Sequence, residues 1–268
     1  MARTALLCPT FFTPVGTAIS HVRDMVPTWT PGLWMHQNES SGCCLIGNMH
    51  DISNFWFRHL EDDHVIIPGI EDATPWFSQS HAYGQECLDK FGAQLELIQS
   101  IQPSGADILA AASPSAPLHW VSLIILLDQL PRNCFRGAQA RMVFTLFDKL
   151  AFEVASQALG SGIPMDRQVR FQLAQVLVIY ANGTLREMWH DYEMLLEKAV
   201  EGWDGDFAYH RAVLLRRKDS FEKFRGTMRG ICESKKDILR RFGRFPQRND
   251  ALGRPSTAEE LQFLNERW

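Results

Sequence analysis

An all-α fold, built of antiparallel helical hairpins around one buried central helix, is what this sequence predicts, and three observations carry the expectation. Apolar residues recur at helical intervals along most of the chain, as Val143, Phe147, Leu150 and Val154 do. The stretch from Val121 to Leu127 is apolar all round, the pattern of a helix without a solvent face. No alternating run of strand length competes with these signals.

Residues 1–50 mix Pro, Gly, Ser, His and Trp without a sustained period and read as an irregular arm; 51–268 read as one all-helical domain. Phe11, Phe12, Trp29 and Trp34 make the arm too aromatic for a disordered tail, so it is expected to pack on the body. Ser53 is placed as the cap of a helix carrying Phe55, Trp56, Phe57 and Leu60. Thr74 and Pro75 open a second helix expected to run to about Gln99, weakened by Gly84 and Gly92. Pro103 to Pro117 reads as a linker. The central helix starts near Leu118 and is expected to stop before Pro131, which disfavours the α region for Leu130.

Beyond it, the Val143 to Val154 stripe and a second stripe, Val169 to Tyr180, are expected to pair as a hairpin closed by Asn182-Gly183. Leu185 to Trp203 keep the helical rhythm. A last long helix is expected from Asp206 to Arg241, ended by Gly243, with Arg240 and Arg241 suited to its final turn. Ser256 and Glu259 are placed as a capping box for a short helix through Leu261 and Leu264.

Composition narrows the function. A net charge of -4 and a pI near 6.1 oppose a polyanion binder, so no nucleic-acid partner is expected. Pro9 interrupts the one short apolar stretch near the start, and Leu123 to Leu127 falls far short of the roughly 20 residues of a membrane span. The six cysteines include no CxxC pair and read as reduced thiols of a cytoplasmic protein. Dinucleotide, P-loop, α/β-hydrolase and zincin motifs are missing, and neither a cofactor nor a metal is expected.

Two polar phrases stand out: Ile124-Ile125-Leu126-Leu127-Asp128-Gln129-Leu130-Pro131-Arg132-Asn133 and Arg241-Phe242-Gly243-Arg244-Phe245-Pro246-Gln247-Arg248-Asn249. With Pro131 as a stop, Asp128 would sit at the negative end of a helix dipole, and burial would raise its pKa further unless Arg132 or Arg136 compensates. That pattern suits a general acid or base; a structural Asp–Arg tie is the competing explanation. Arg244 and Arg248 suit anion or carbonyl recognition, or equally the capping of a helix end. Trp56 is either a ligand wall or core packing. Cys134 is the nearest thing to a nucleophile, and its neighbours include no base.

These phrases, with Asn54-Phe55-Trp56-Phe57 and Leu252-Gly253-Arg254-Pro255-Ser256-Thr257-Ala258-Glu259-Glu260, resemble domain-of-unknown-function family 924 over roughly Ile52 to Leu264. The resemblance implies an all-helical fold like tetratricopeptide repeats and brings no settled activity. Measured against the family pattern, Ala181-Asn182-Gly183-Thr184 replaces His-Ser-Glu-Asp, and Lys235 and Gln247 each stand where a histidine is usual. Small side chains at Ala181 and Gly183 imply more room for a ligand.

The reading that follows is a cofactor-independent cyclase or isomerase of specialised metabolism, acting on a hydrophobic aromatic or polyketide-like small molecule. Asp128 and Arg132 are its expected catalytic residues. Trp56, Gln129, Asn133, Tyr180, Gly183, Lys235, Arg244, Gln247 and Arg248 are expected to bind substrate. A non-catalytic helical-repeat module for a peptide or protein is the second reading, and a hydrolase the third. No membrane partner is expected, and the oligomeric state stays open.

Overall fold

The computed structural model describes residues 46–61, 63–64, 69, 71–77, 80–161, 212–213 and 215–267. Among them every regular element is helical. Helix α1 (Met49–Phe57) is capped by Asn48, whose side chain accepts from the His50 N–H at 3.0 Å. Ser53, expected as the cap, lies inside the helix instead. Its hydroxyl bonds back to the Met49 carbonyl and also meets the hydroxyl of Ser122, an interior use of a short polar side chain.

The expected helix from Thr74 to Gln99 is two helices, α2 (Thr74–Phe77) and α3 (His81–Ile101). Ser80 decides the break, because its hydroxyl accepts from the Tyr83 N–H and starts a new helix. Gly84 serves packing: a Cβ there would stand 2.9 Å from the Asn133 carbonyl, in the helix Leu130–Cys134. The expected linker contains helix α4 (Gly105–Ala112), opened by a Ser104–Asp107 capping box. Pro103 precedes it, and its alanines are strong helix formers.

Helix α5 (Pro117–Ile124) begins on a proline at the first position and continues through a π-turn, Ile125–Gln129, into α6 (Leu130–Cys134). Pro131 therefore does not stop the helix. The Leu130 N–H reaches back five residues to the Ile125 carbonyl, and this wider turn takes the missing proline N–H into the stem. Val121 to Asp128 are fully buried, as the all-round apolar pattern predicts.

A second π-turn, Val143–Phe147, joins α7 (Ala140–Met142) to α8 (Asp148–Gly160). Val143, Phe147, Leu150 and Val154 are buried, and α8 packs on α4 and α5. Gly105 N–H donates to Glu153 at 2.7 Å across the α4–α8 contact. The expected Val169 to Tyr180 and Leu185 to Trp203 helices lie outside the described residues. Helix α9 (Lys218–Phe242) ends at Gly243, whose φ of 67° is the left-handed conformation that a Cβ disfavours and whose N–H bonds the Leu239 carbonyl. In α10 (Ala258–Arg267) the capping box is Thr257 with Glu260, one residue later than expected. No described helix is long and apolar enough to cross a membrane.

Candidate active site

The two π-turns meet, and the polar side chains they carry meet with them. Asp128 hangs from the first, fully buried, with Arg132 one turn later. The Arg132 guanidinium forms an ion pair with the Asp128 carboxylate at 2.5 Å and donates to the Asp128 carbonyl at 2.7 Å and the Asp148 carboxylate at 2.6 Å. Asp148 is the first residue after the second π-turn. Its other oxygen accepts from Arg248 at 2.9 Å, a hundred positions along the chain. The result is a chain of alternating charge: Asp128, Arg132, Asp148, Arg248.

Neighbours fix its shape. Gln129 donates its amide to Asp128, and the Asn133 amide donates to the Gln129 carbonyl at 3.1 Å. Arg248 lies 4.6 Å from the Phe144 ring centre and 5.0 Å from that of Phe245, so its charge is held between two aromatic faces as well as by Asp148. Lys235 on α9 acts on Asp128 electrostatically.

Burial pushes the Asp128 carboxyl up to about 7, and the Asp148 charge adds to it; Arg132 and Lys235 oppose the rise. The helix dipole expected to do this does not, because Asp128 is mid-stem and not at a helix end. Arg132 is shared between two carboxylates, so its charge is not Asp128's alone.

Other expected site residues are elsewhere. Arg244 donates through Nε and Nη2 to Glu260 at 2.7 and 2.8 Å and belongs to a clasp at the start of α10. Trp56 is fully buried in the core, stacked on Trp76 at 5.7 Å, with an indole N–H that finds no acceptor. Gln247 is half-buried with its side-chain oxygen unpaired. Tyr180 and Gly183 lie outside the described residues. Burial raises the Cys134 thiol to about 12, which removes the thiolate a nucleophile needs.

Asp148 is the site residue that sequence reasoning missed. Its partners stand 16 and 100 positions away, and a lone carboxylate opening an amphipathic stripe carries no local signal of either.

A family model described as "Bacterial protein of unknown function (DUF924)" matches residues 52–267. The chain belongs to the DUF924 family. No curated protein and no solved structure matches it. Within this DUF924 chain, Asp128 to Asn133 and Arg244 to Asn249 fall inside the matched span, and so does Asp148.

Proposed function

We propose that this DUF924 chain is a cytoplasmic, cofactor-independent cyclase or isomerase of specialised metabolism, acting by acid–base catalysis on a hydrophobic aromatic or polyketide-like small molecule. One observation carries the reading: a fully buried carboxyl, Asp128, with a pKa near neutrality and guanidinium groups beside it. A carboxyl at about 7 both gives and takes a proton near neutral pH, the range where general acid–base catalysis is most efficient. In this reading Asp128 moves a proton on the substrate's carbon or hydroxyl skeleton. Arg132 holds the carboxyl in place and, with Arg248 and Lys235, stabilises oxyanion character as it develops.

Turnover of a panel of aromatic polyketide-like compounds by the full chain tests the reading. Asp128→Asn is expected to lose on the order of a hundredfold or more of that turnover while melting at an unchanged or higher temperature. Full turnover by a folded Asp128→Asn protein would remove Asp128 from the chemistry. Tight binding of partners with no turnover of any compound would replace the enzyme reading with the helical-repeat binding module.

A further inference from the structure

Between α1 and α3 lies an open groove of about 490 Å³, within the range of small-molecule sites. No residue of the Asp128 chain lines it. Its floor is the buried pair Phe55 and Phe91, and its walls carry Asp51, Asn54, Lys90 and Gln94.

The charges on these walls are unequally used. Arg58, also on the groove, is committed: both its terminal nitrogens bind the two oxygens of Glu86, and its guanidinium lies 4.4 Å from the Phe55 ring centre. Lys90 stands 5.7 Å from the same ring centre. Neither Lys90 nor Asp51 forms an ion pair with any described residue, including each other, so they are more than 4 Å apart on opposite helices. Gln94 adds a buried amide N–H with no acceptor, beside Gly47. An unpaired buried donor calls for a partner, and the terminal torsion of a glutamine is soft enough to turn the amide into the groove.

We propose that this groove binds a small zwitterion, an amino acid or short peptide. Its ammonium group meets Asp51 and its carboxylate meets Lys90, with the Gln94 amide bonding the atoms between. Glu86, whose two oxygens are held by Arg58, acts on Lys90 only at longer range. A separated carboxylate and ammonium, neither held in an ion pair by a described residue, match a ligand that carries both charges and discriminate against one that carries a single charge. The groove is separate from the Asp128 chemistry and stands or falls independently of it.

The test uses the full chain, saturation-transfer NMR and calorimetry. The probes are the common free amino acids and glycyl dipeptides, each with its N-acetylated and C-amidated form. At least one parent zwitterion is expected to bind, and capping either end to weaken it by roughly fivefold or more. In Asp51→Asn, N-acetylation should no longer matter; in Lys90→Met, amidation should no longer matter. Both positions are exposed, so folding is expected to be retained. The proposal is overturned if no zwitterion binds, if capped and parent compounds bind alike, or if both variants keep the full discrimination.

Discussion

Asp128 and Arg132 are one turn apart, yet neither can be understood without Asp148, which takes half of the arginine. The sharing predicts an asymmetry between variants. Removing Arg132, as in Arg132→Met, leaves two carboxylates facing each other with one fully buried, and a loss of about 3–5 kcal/mol is expected in urea denaturation. Asp148→Asn does the opposite for Asp128: it removes a repelling charge and frees Arg132, so the Asp128 pKa should fall, which carboxyl-carbon NMR titration reads directly. Linkage adds a third outcome. With its folded pKa above the unfolded value, Asp128 keeps a proton that the unfolded chain releases, so stability declines as pH rises from about 4 to about 7 and levels off above it. Asp128→Asn should flatten that slope. At this scale the sequence singled out a buried Asp128 and offered Arg132 or Arg136 as its cation; the structure pairs it with Arg132. Of the two expected causes of the pKa shift, burial acts and the dipole does not, because a dipole argument needs a helix end and Pro131 does not make one.

At the scale of elements, the π-turns are what place the site. Each widens one turn of a helix, and each has an acidic side chain at or just beyond it, Asp128 in one case and Asp148 in the other. Such turns are frequent at functional sites. Nothing in the hydrophobic periodicity distinguishes one extra residue per turn over five residues, which is why Pro131 read as a stop. The long helix α3 gives the complementary case. Its glycines read as weaknesses, whereas Gly84 is a point of close approach: Gly84→Ala sets a Cβ 2.9 Å from the Asn133 carbonyl, on the stem that carries Asp128. About 1–3 kcal/mol of destabilisation is expected in thermal or urea melts. Caps were legible in kind and wrong in position where two candidates stood close together, Asn48 against Ser53 and Thr257 against Ser256. The choice is made by which hydroxyl or amide the backbone N–H groups meet.

For the molecule as a whole, side-chain ties among the described residues hold the C-terminal segment, one of them between Arg217 and the His64 ring at 2.8 Å. Arg248 reaches Asp148, and Arg216 reaches Asp63 in a two-pronged pair with distances of 2.9 to 3.2 Å. At the far end, Glu260 accepts from Arg244, Asn249 and the Thr257 N–H, and Arg244 with these partners holds its carboxyl down to about 2. A depressed carboxylate stabilises the fold above its unfolded pKa of about 4.3 and loses that contribution as pH falls towards 2. Glu260→Gln should therefore shrink the acid-induced loss of helix followed by circular dichroism. Arg244→Ala is expected to lower the melting temperature while leaving turnover per folded molecule unchanged, since its guanidinium serves this clasp and not Asp128.

The helical class, the buried central stem, the end of α9 at Gly243 and the family were legible in the residues alone, because apolar period, glycine and proline placement and long motifs are all local or linear properties. That Asp148 completes the charge chain, that Arg244 serves a clasp and that Trp56 is core came from the folded contacts alone. Those outcomes depend on which side chains meet across 16 to 100 positions of chain, and a contact between distant residues has no period for a sequence to reveal.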